Sequence, residues 1–357
     1  MTDHIIQEDI RRIMEALEKE FAVLGGKNFL ITGADGFLPS YFVDTVAGLN
    51  ETVLSGNPAT IFALSRRPPE GNERLLHLLK NPHVRFLNQD VSKRFSLPAG
   101  INYIIHAASK ASPKEYLAHP IDTIDANVWG ARLLLDYAKT SKIDGFLFTS
   151  TNEVYGDPEN SKVPISEDYF GNVNPLGERS VYQESKRFGE TLSNAFWRAH
   201  GIPAKIVRIF HTFGPRLSLN DGRVIPEFMR RCFAGEDLEV IRGGSSVRTF
   251  SYISDTIEGA WRVLLLGHPG ESYNVGSREE ITIDGLAKLF IKIFGGSSRI
   301  KFVEENAQKG FATTPQKTIP DLEKIERELG YKSKIPLEAG LFRLKEWYEL
   351  YGNLSQK

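Results

Sequence analysis

The chain has 357 residues, 41% of them hydrophobic and 25% charged, with a formal net charge of −1. This is the make-up of a globular protein large enough for a full core and two lobes, and its neutrality excludes a global field that would gather nucleic acid or anionic lipid. No apolar run reaches membrane-spanning length, the start MTDHIIQEDIRR lacks a secretory signal pattern, and a single cysteine, Cys232, excludes an internal disulfide and fits a reducing, cytoplasmic compartment.

In residues 1–25, Ile6, Ile10, Ile13, Leu17, Phe21 and Leu24 recur at three- and four-residue steps. That spacing predicts an amphipathic helix, docked on the main domain or facing a partner. The segment NFLITGADGFLPS then reads as a short strand, a glycine turn and a helix. Gly33, Asp35, Gly36, Phe37 and Leu38 would bring backbone N–H groups to the pyrophosphate of a dinucleotide. Pro39 stands where a third glycine would allow the tightest packing, and a proline in the first helical turn sacrifices no internal hydrogen bond.

A second strand ends at Ser65, Arg66 and Arg67 with no carboxylate before Glu70. An acidic residue there would favour NAD, whereas an arginine accommodates the phosphate of NADP. NADP is therefore a live alternative, as is a plain solvated loop before two prolines. Asp90 and Val91 follow a third strand, where the carboxylate would meet adenine. A fourth delivers His106, Ala107 and Ala108 beside the cofactor path, with His106 read as a half-buried, satisfied histidine.

Strands alternating with helical stretches up to Phe210 predict an α/β fold, a Rossmann-like doubly wound parallel sheet with a smaller C-terminal substrate lobe. The dinucleotide-binding domain is placed at 26–210 and 248–266, and the lobe at 211–247 and 267–351. Helices are expected over 123–139, 181–200, 283–294 and 321–329. The first two would form a four-helix bundle with a second copy in a homodimer.

Residues 146–190 carry the chemistry. A strand ends in Thr149, Ser150 and Thr151, Glu153 follows, and Tyr182 precedes Lys186 by four residues, which puts both on one helix face. A nearby ammonium favours the phenolate of a tyrosine whose pKa is otherwise about 10. Taken alone, such a pair usually marks no more than a solvated helix face.

In order along the chain stand TGADGF, HAASKASPKEY, NVWGARLLL, TSTNEVYGDP, GNVNPLGERSVYQESKR, RIFHTFGPR, DGRVIPEF and VRTFSYISD. Together these resemble the extended short-chain dehydrogenases/reductases of the nucleotide-sugar epimerase/dehydratase group, in particular the UDP-glucuronate decarboxylases of polysaccharide biosynthesis. The resemblance implies a tightly held, recycled NAD bound also by Asn127. It implies that Tyr182, helped by Lys186 and Thr151, takes a proton from the sugar C4 hydroxyl while hydride leaves C4. Glu153 would exchange protons near C5 and Arg248 would orient a substrate carboxylate. Ser109, Asn152, Asn172, Arg179, His211, Arg216 and Arg223 would face the nucleotide sugar; no metal is expected.

Some positions depart from that pattern. Asn152 replaces the serine of decarboxylases and the aspartic acid of 4,6-dehydratases, and an amide is no proton donor of that kind. His211 stands for an asparagine, and Gln316 and Thr318 for arginines. Three readings follow: a nucleotide uronic acid decarboxylase, a 4,6-dehydratase or 4-epimerase of a neutral nucleotide sugar, or a dinucleotide-binding regulatory protein without turnover.

Overall fold

The computed structural model describes residues 3–71, 73–304 and 315–352. Seven strands make the main sheet: β1 (Asn28–Thr32), β2 (Thr60–Ser65), β3 (Val84–Asn88), β4 (Tyr103–His106), β5 (Gly145–Thr151), β6 (Ala204–Ile209) and β7 (Ser272–Val275). Their order is β3-β2-β1-β4-β5-β6-β7 and every pairing is parallel. The chain winds outward in both directions from β1 and β4, so their carboxyl ends diverge into a crevice, the place where such sheets bind ligands.

Alternation along the strands divides the core into two layers. Phe29, Ile31, Ile61, Ile105, Leu147 and Val207 point to one face, covered by helices Phe37–Glu51 and Ile253–Leu266. Leu30, Ile104, Phe146, Phe148 and Ile206 point to the other, covered by helices Ala131–Ser141 and Ser180–His200. Gly189 brings the last of these down onto β5: a Cβ there would lie 2.1 Å from the Phe148 ring. Any larger residue would lift the helix that carries Tyr182 and Lys186.

The amphipathic N-terminal segment forms helix His4–Ala16, continued by Glu18–Phe21, and docks on the main domain. Phe21 packs edge-on to Trp261 at 5.3 Å, and the buried Asp9 accepts the Tyr252 hydroxyl at 2.9 Å and pairs with Arg343 at 2.9 Å. Burial holds the Asp9 carboxyl up at about 6 despite the Arg343 charge.

The lobe contains a three-stranded sheet with Val247–Thr249 at its centre, a parallel pair of Leu238–Ile241 with Ile300–Val303, and helices Val224–Ala234, Ile283–Phe294, Glu323–Leu329 and Leu337–Leu350. One expectation needs correction. Residues 272–275, assigned to the lobe, pair with β6 and complete the main sheet. The helix expected over 123–139 is present, helical from Pro120 to Ser141, with a wider π-helical turn at Asp125–Gly130 between Pro120–Ile124 and Ala131–Ser141.

Candidate active site

The glycine turn follows β1 directly. Gly33 has φ +65°, and a Cβ on it would lie 2.7 Å from the Ala108 Cα, so the turn and the end of β4 are pressed together. Thr32 Oγ1 fixes that contact by accepting the N–H groups of Ala107 and Ala108 at 3.1 and 3.2 Å. His106 is fully buried rather than half-buried, but satisfied as expected, bonding Thr32 and the Ala126 carbonyl, and desolvation followed by the Lys186 charge pushes it down to about 3. Gly36 precedes the Phe37–Glu51 helix, with Phe37 and Leu38 half-buried in its first turn and Pro39 tolerated in that turn.

A dinucleotide fits this edge on internal grounds. Ser109 Oγ, Asn127 Oδ1 and Gln89 Oε1 are buried without hydrogen-bond partners along it, and orphaned polar atoms of this kind call for a polar ligand. Asn127 sits in the π-helical turn, its Nδ2 donating to Ser185 Oγ at 2.9 Å, and the buried Val91 packs on Gly130 of the same turn. Asp90 lies just past β3, ionised and accepting the backbone N–H and hydroxyl of Ser92. At the end of β2, Ser65 Oγ donates to the Arg67 carbonyl, Arg66 is exposed, and Arg67 pairs with Asp35 at 2.5 Å.

Toward the other end of the crevice, β5 delivers Thr151, whose Oγ1 caps the following turn by accepting the Glu153 N–H at 3.2 Å. The Tyr182 hydroxyl lies near enough to the Thr151 side chain for Thr151 to favour its ionised form, and Lys186 donates to the Thr149 carbonyl at 2.7 Å. Thr151, Tyr182 and Lys186 are therefore brought together, all buried. The ammonium lies 6.0 Å from the Tyr182 ring centroid and bonds the strand, and burial followed by the Glu153 charge moves the phenol upward, against Thr151 and Arg223. Desolvation brings Lys186 down to about 7, with Glu190 opposing.

Glu153 forms a close ion pair with Arg179 and accepts Gln183 Nε2 at 3.2 Å. Arg223 is held in a fork by Asp221, near enough to Tyr182 and Glu153 to interact with both charges. His211 leaves β6 beside this group; its Nε2 is buried without a partner, and desolvation followed by Arg248, Arg223 and Arg179 pushes it down to about 3. Asn152 is half-buried in the turn after β5.

Two substrate-side residues are used otherwise than expected. Arg216 does not reach the lobe: its guanidinium is buried against Asp44 at 2.6 Å, locking the loop to the Phe37–Glu51 helix. Asn172 Nδ2 donates to the Asp157 carbonyl and closes a loop around Gly156. Arg248 is buried, anchored by donating to the carbonyls of Val247, Pro315 and Gln316, and desolvation followed by the Arg179 charge pushes it down to about 10. Tyr116 and Gln183, which the sequence reading did not single out, both touch this cluster. Tyr116 ends the HAASKASPKEY stretch, where Ser112 and Pro113 signal a helix start that would have placed it.

Residues 29–276 match the NAD dependent epimerase/dehydratase family. The chain belongs to that family. Among curated relatives, it is 36% identical to UDP-glucuronic acid decarboxylase 3 of Arabidopsis thaliana over 92% of this chain and 90% of that protein. It is 35% identical to UDP-glucuronic acid decarboxylase 1 of Xenopus tropicalis over 88% and 70%. Among solved structures, the dTDP-glucose 4,6-dehydratase of Streptomyces venezuelae with NAD bound superposes with a TM-score of 0.77 at 26% identity, covering 91% of this chain and 97% of that one. A UDP-glucuronic acid 4-epimerase from Bacillus cereus, at 24% identity, has the same fold with a TM-score of 0.77 over 91% and 100%.

Proposed function

We propose that the protein is an NAD-dependent nucleotide-sugar enzyme whose reaction is decarboxylation of UDP-glucuronate or a related nucleotide uronic acid. The observation that carries this is the convergence of Thr151, Tyr182, Lys186 and Glu153 at the carboxyl end of β5, in a chain 36% identical over 92% of its length to a UDP-glucuronic acid decarboxylase.

NAD, when bound, supplies a hydride acceptor and donor for the sugar C4. Ala107, Ala108 and the turn at Gly33 would hold it along the crevice, and Ser109 and Asn127 would give it their free polar atoms. Tyr182 takes the C4 hydroxyl proton, its phenolate stabilised by the Thr151 hydroxyl and the Arg223 charge against the cost of burial. The resulting 4-ketone lies β to the C6 carboxylate, so the electrons of the C5–C6 bond pass into an enolate as carbon dioxide leaves. Tyr182 and Thr151 would hold its oxygen. Glu153 would relay to C5 the proton that replaces the lost carboxylate; C4 then regains its hydride and Tyr182 returns the proton to its oxygen, so the cofactor would end as it began.

Arg223, His211 and Arg248 line the substrate side, with Arg248 as the group for the carboxylate. Asn152 supports decarboxylation over dehydration, since its amide can donate a hydrogen bond but is too weak an acid to protonate a departing C6 hydroxyl. Incubation with UDP-glucuronate and with neutral nucleotide sugars, followed by product mass, tests the reading. Release of carbon dioxide from the uronate alone supports it, and water lost from a neutral sugar refutes it.

We further assign the protein to the cytoplasm, to polysaccharide biosynthesis and to a homodimer. No helix of the described residues is long and apolar enough to cross a membrane. The dimer is supported by the outer face of the Ser180–His200 helix, where Phe188 is 51% exposed and Trp197 38%, beside an open groove of about 1520 Å³ reaching Ile124 and Phe170.

A further inference from the structure

One set of contacts around Tyr182 is assigned no role by the family reading. The buried Tyr116 ring lies flat on the Tyr182 ring, with centroids 5.1 Å apart and planes at 6°. Its hydroxyl accepts Arg179 Nε at 3.1 Å, while another nitrogen of the same guanidinium meets Glu153. Gln183 Nε2 holds the second oxygen of that carboxylate at 3.2 Å. Arg179, Tyr182 and Gln183 share the first turn of one helix, where the N–H groups of Tyr182 and Gln183 both donate to the Arg179 carbonyl. The contacts thus close a ring from Tyr182 through Tyr116, Arg179, Glu153 and Gln183 back to the Tyr182 helix.

We propose that Tyr116 and Arg179 are positioning residues of the C4 oxidation: they fix the plane of the Tyr182 ring and keep the Glu153 charge neutralised beside it. The inference rests on the reading of Tyr182 as the base. Two anchors on one guanidinium fix its plane, so the Tyr116 hydroxyl directs Arg179 onto Glu153 and does more than fill space. Glu153 opposes ionisation of Tyr182, so a Glu153 stripped of Arg179 opposes it more strongly. The remaining charged groups facing Tyr182 and Glu153 are Lys186, one turn along the same helix, Arg223, from the loop before the Val224–Ala234 helix, and Arg248, from the lobe sheet. All three are anchored elsewhere, Lys186 by the Thr149 carbonyl, Arg223 by Asp221 and Arg248 by backbone carbonyls, and none replaces Arg179.

The test is the pH profile of kcat and KM for UDP-glucuronate in the wild type, Arg179→Gln, Arg179→Lys, Tyr116→Phe and Tyr116→Leu. Tyr116→Phe keeps the stacked ring and loses one hydrogen bond, so it folds where Tyr116→Leu fails. Arg179→Gln is expected to lower kcat by about a hundredfold and to move the acidic limb of the profile to higher pH. Arg179→Lys keeps the limb in place and recovers part of the rate. Tyr116→Phe lowers kcat by about fivefold with KM unchanged and moves the limb in the same direction by less. Limbs that coincide with the wild type in both Arg179→Gln and Tyr116→Phe, or losses confined to KM, overturn the inference while leaving the base assignment intact. A wild type that oxidises no nucleotide sugar overturns the functional reading and this inference with it.

Discussion

The two ends of the sheet's carboxyl edge handle charge in opposite ways. At the β5 end, Lys186 is buried and bonded to a strand carbonyl, and Glu153 and Arg179 are mostly shielded and matched to each other. At the β2 end, Arg66 and Arg67 lie largely in water, 53% and 61% exposed, and their carboxylate neighbours lie across the loop. A charge in a low-dielectric setting acts strongly on its neighbours, whereas one in water is screened. The difference teaches where the chemistry is fixed by the fold and where recognition is adjustable.

Four substitutions sharpen that contrast. Tyr182→Phe removes the proton carrier and is expected to lower kcat by about a thousandfold or more while the fold and dinucleotide binding persist, as measured by turnover and by dinucleotide titration. Lys186→Met is next, lowering kcat by about a hundredfold, and it also carries a stability signature. Lys186 is held down to about 7 by burial, whereas an unfolded lysine titrates near 10.4. Between those values the unfolded chain holds a proton that the folded chain has released, so this group makes stability rise with pH across that window. Lys205, held down to about 8 by burial, acts in the same direction, so urea titrations of Lys186→Met should show a reduced slope with pH, not a flat one.

At the β2 end the effects are smaller. Ser65→Asp places a carboxylate where the ribose hydroxyls would lie and should tighten NAD over NADP by about tenfold, read by dinucleotide titration. Arg67→Ala breaks the ion pair with Asp35 at an exposed position and should change stability by less than about 1 kcal/mol, read as an unchanged midpoint in urea. An Arg67→Ala effect as large as that of Lys186→Met would break the comparison.

Much of the site was legible in the chain because its parts are local. The glycine turn, Thr151 with Glu153, and Tyr182 with Lys186 each lie within one strand–turn–helix step. Parallel winding then gathers them at one edge. The helix Ile283–Phe294 was legible for the same reason, its apolar stripe lying within a few turns. What escaped depends on partners far along the chain. β7 is short and contains the polar Ser272 and Asn274, and only pairing with β6 makes it a strand. Arg216 reads as a substrate arginine in its motif, but Asp44 of a distant helix takes it. Arg248 is held by carbonyls of residues 315 and 316, and Tyr182 is pushed upward by burial and by Glu153, neither of which a Tyr–Lys spacing reveals.

The central claim is that the β5 end of this edge oxidises a nucleotide uronic acid at C4 and releases its carboxylate as carbon dioxide. The most direct test is mass spectrometry of UDP-glucuronate labelled with ¹³C at C6, incubated with the enzyme and NAD. Labelled carbon dioxide, with a UDP-pentose that retains no label and no lasting build-up of NADH, is the predicted result. A hexuronate recovered with its C6 label intact, whether unchanged or epimerised at C4, would contradict it.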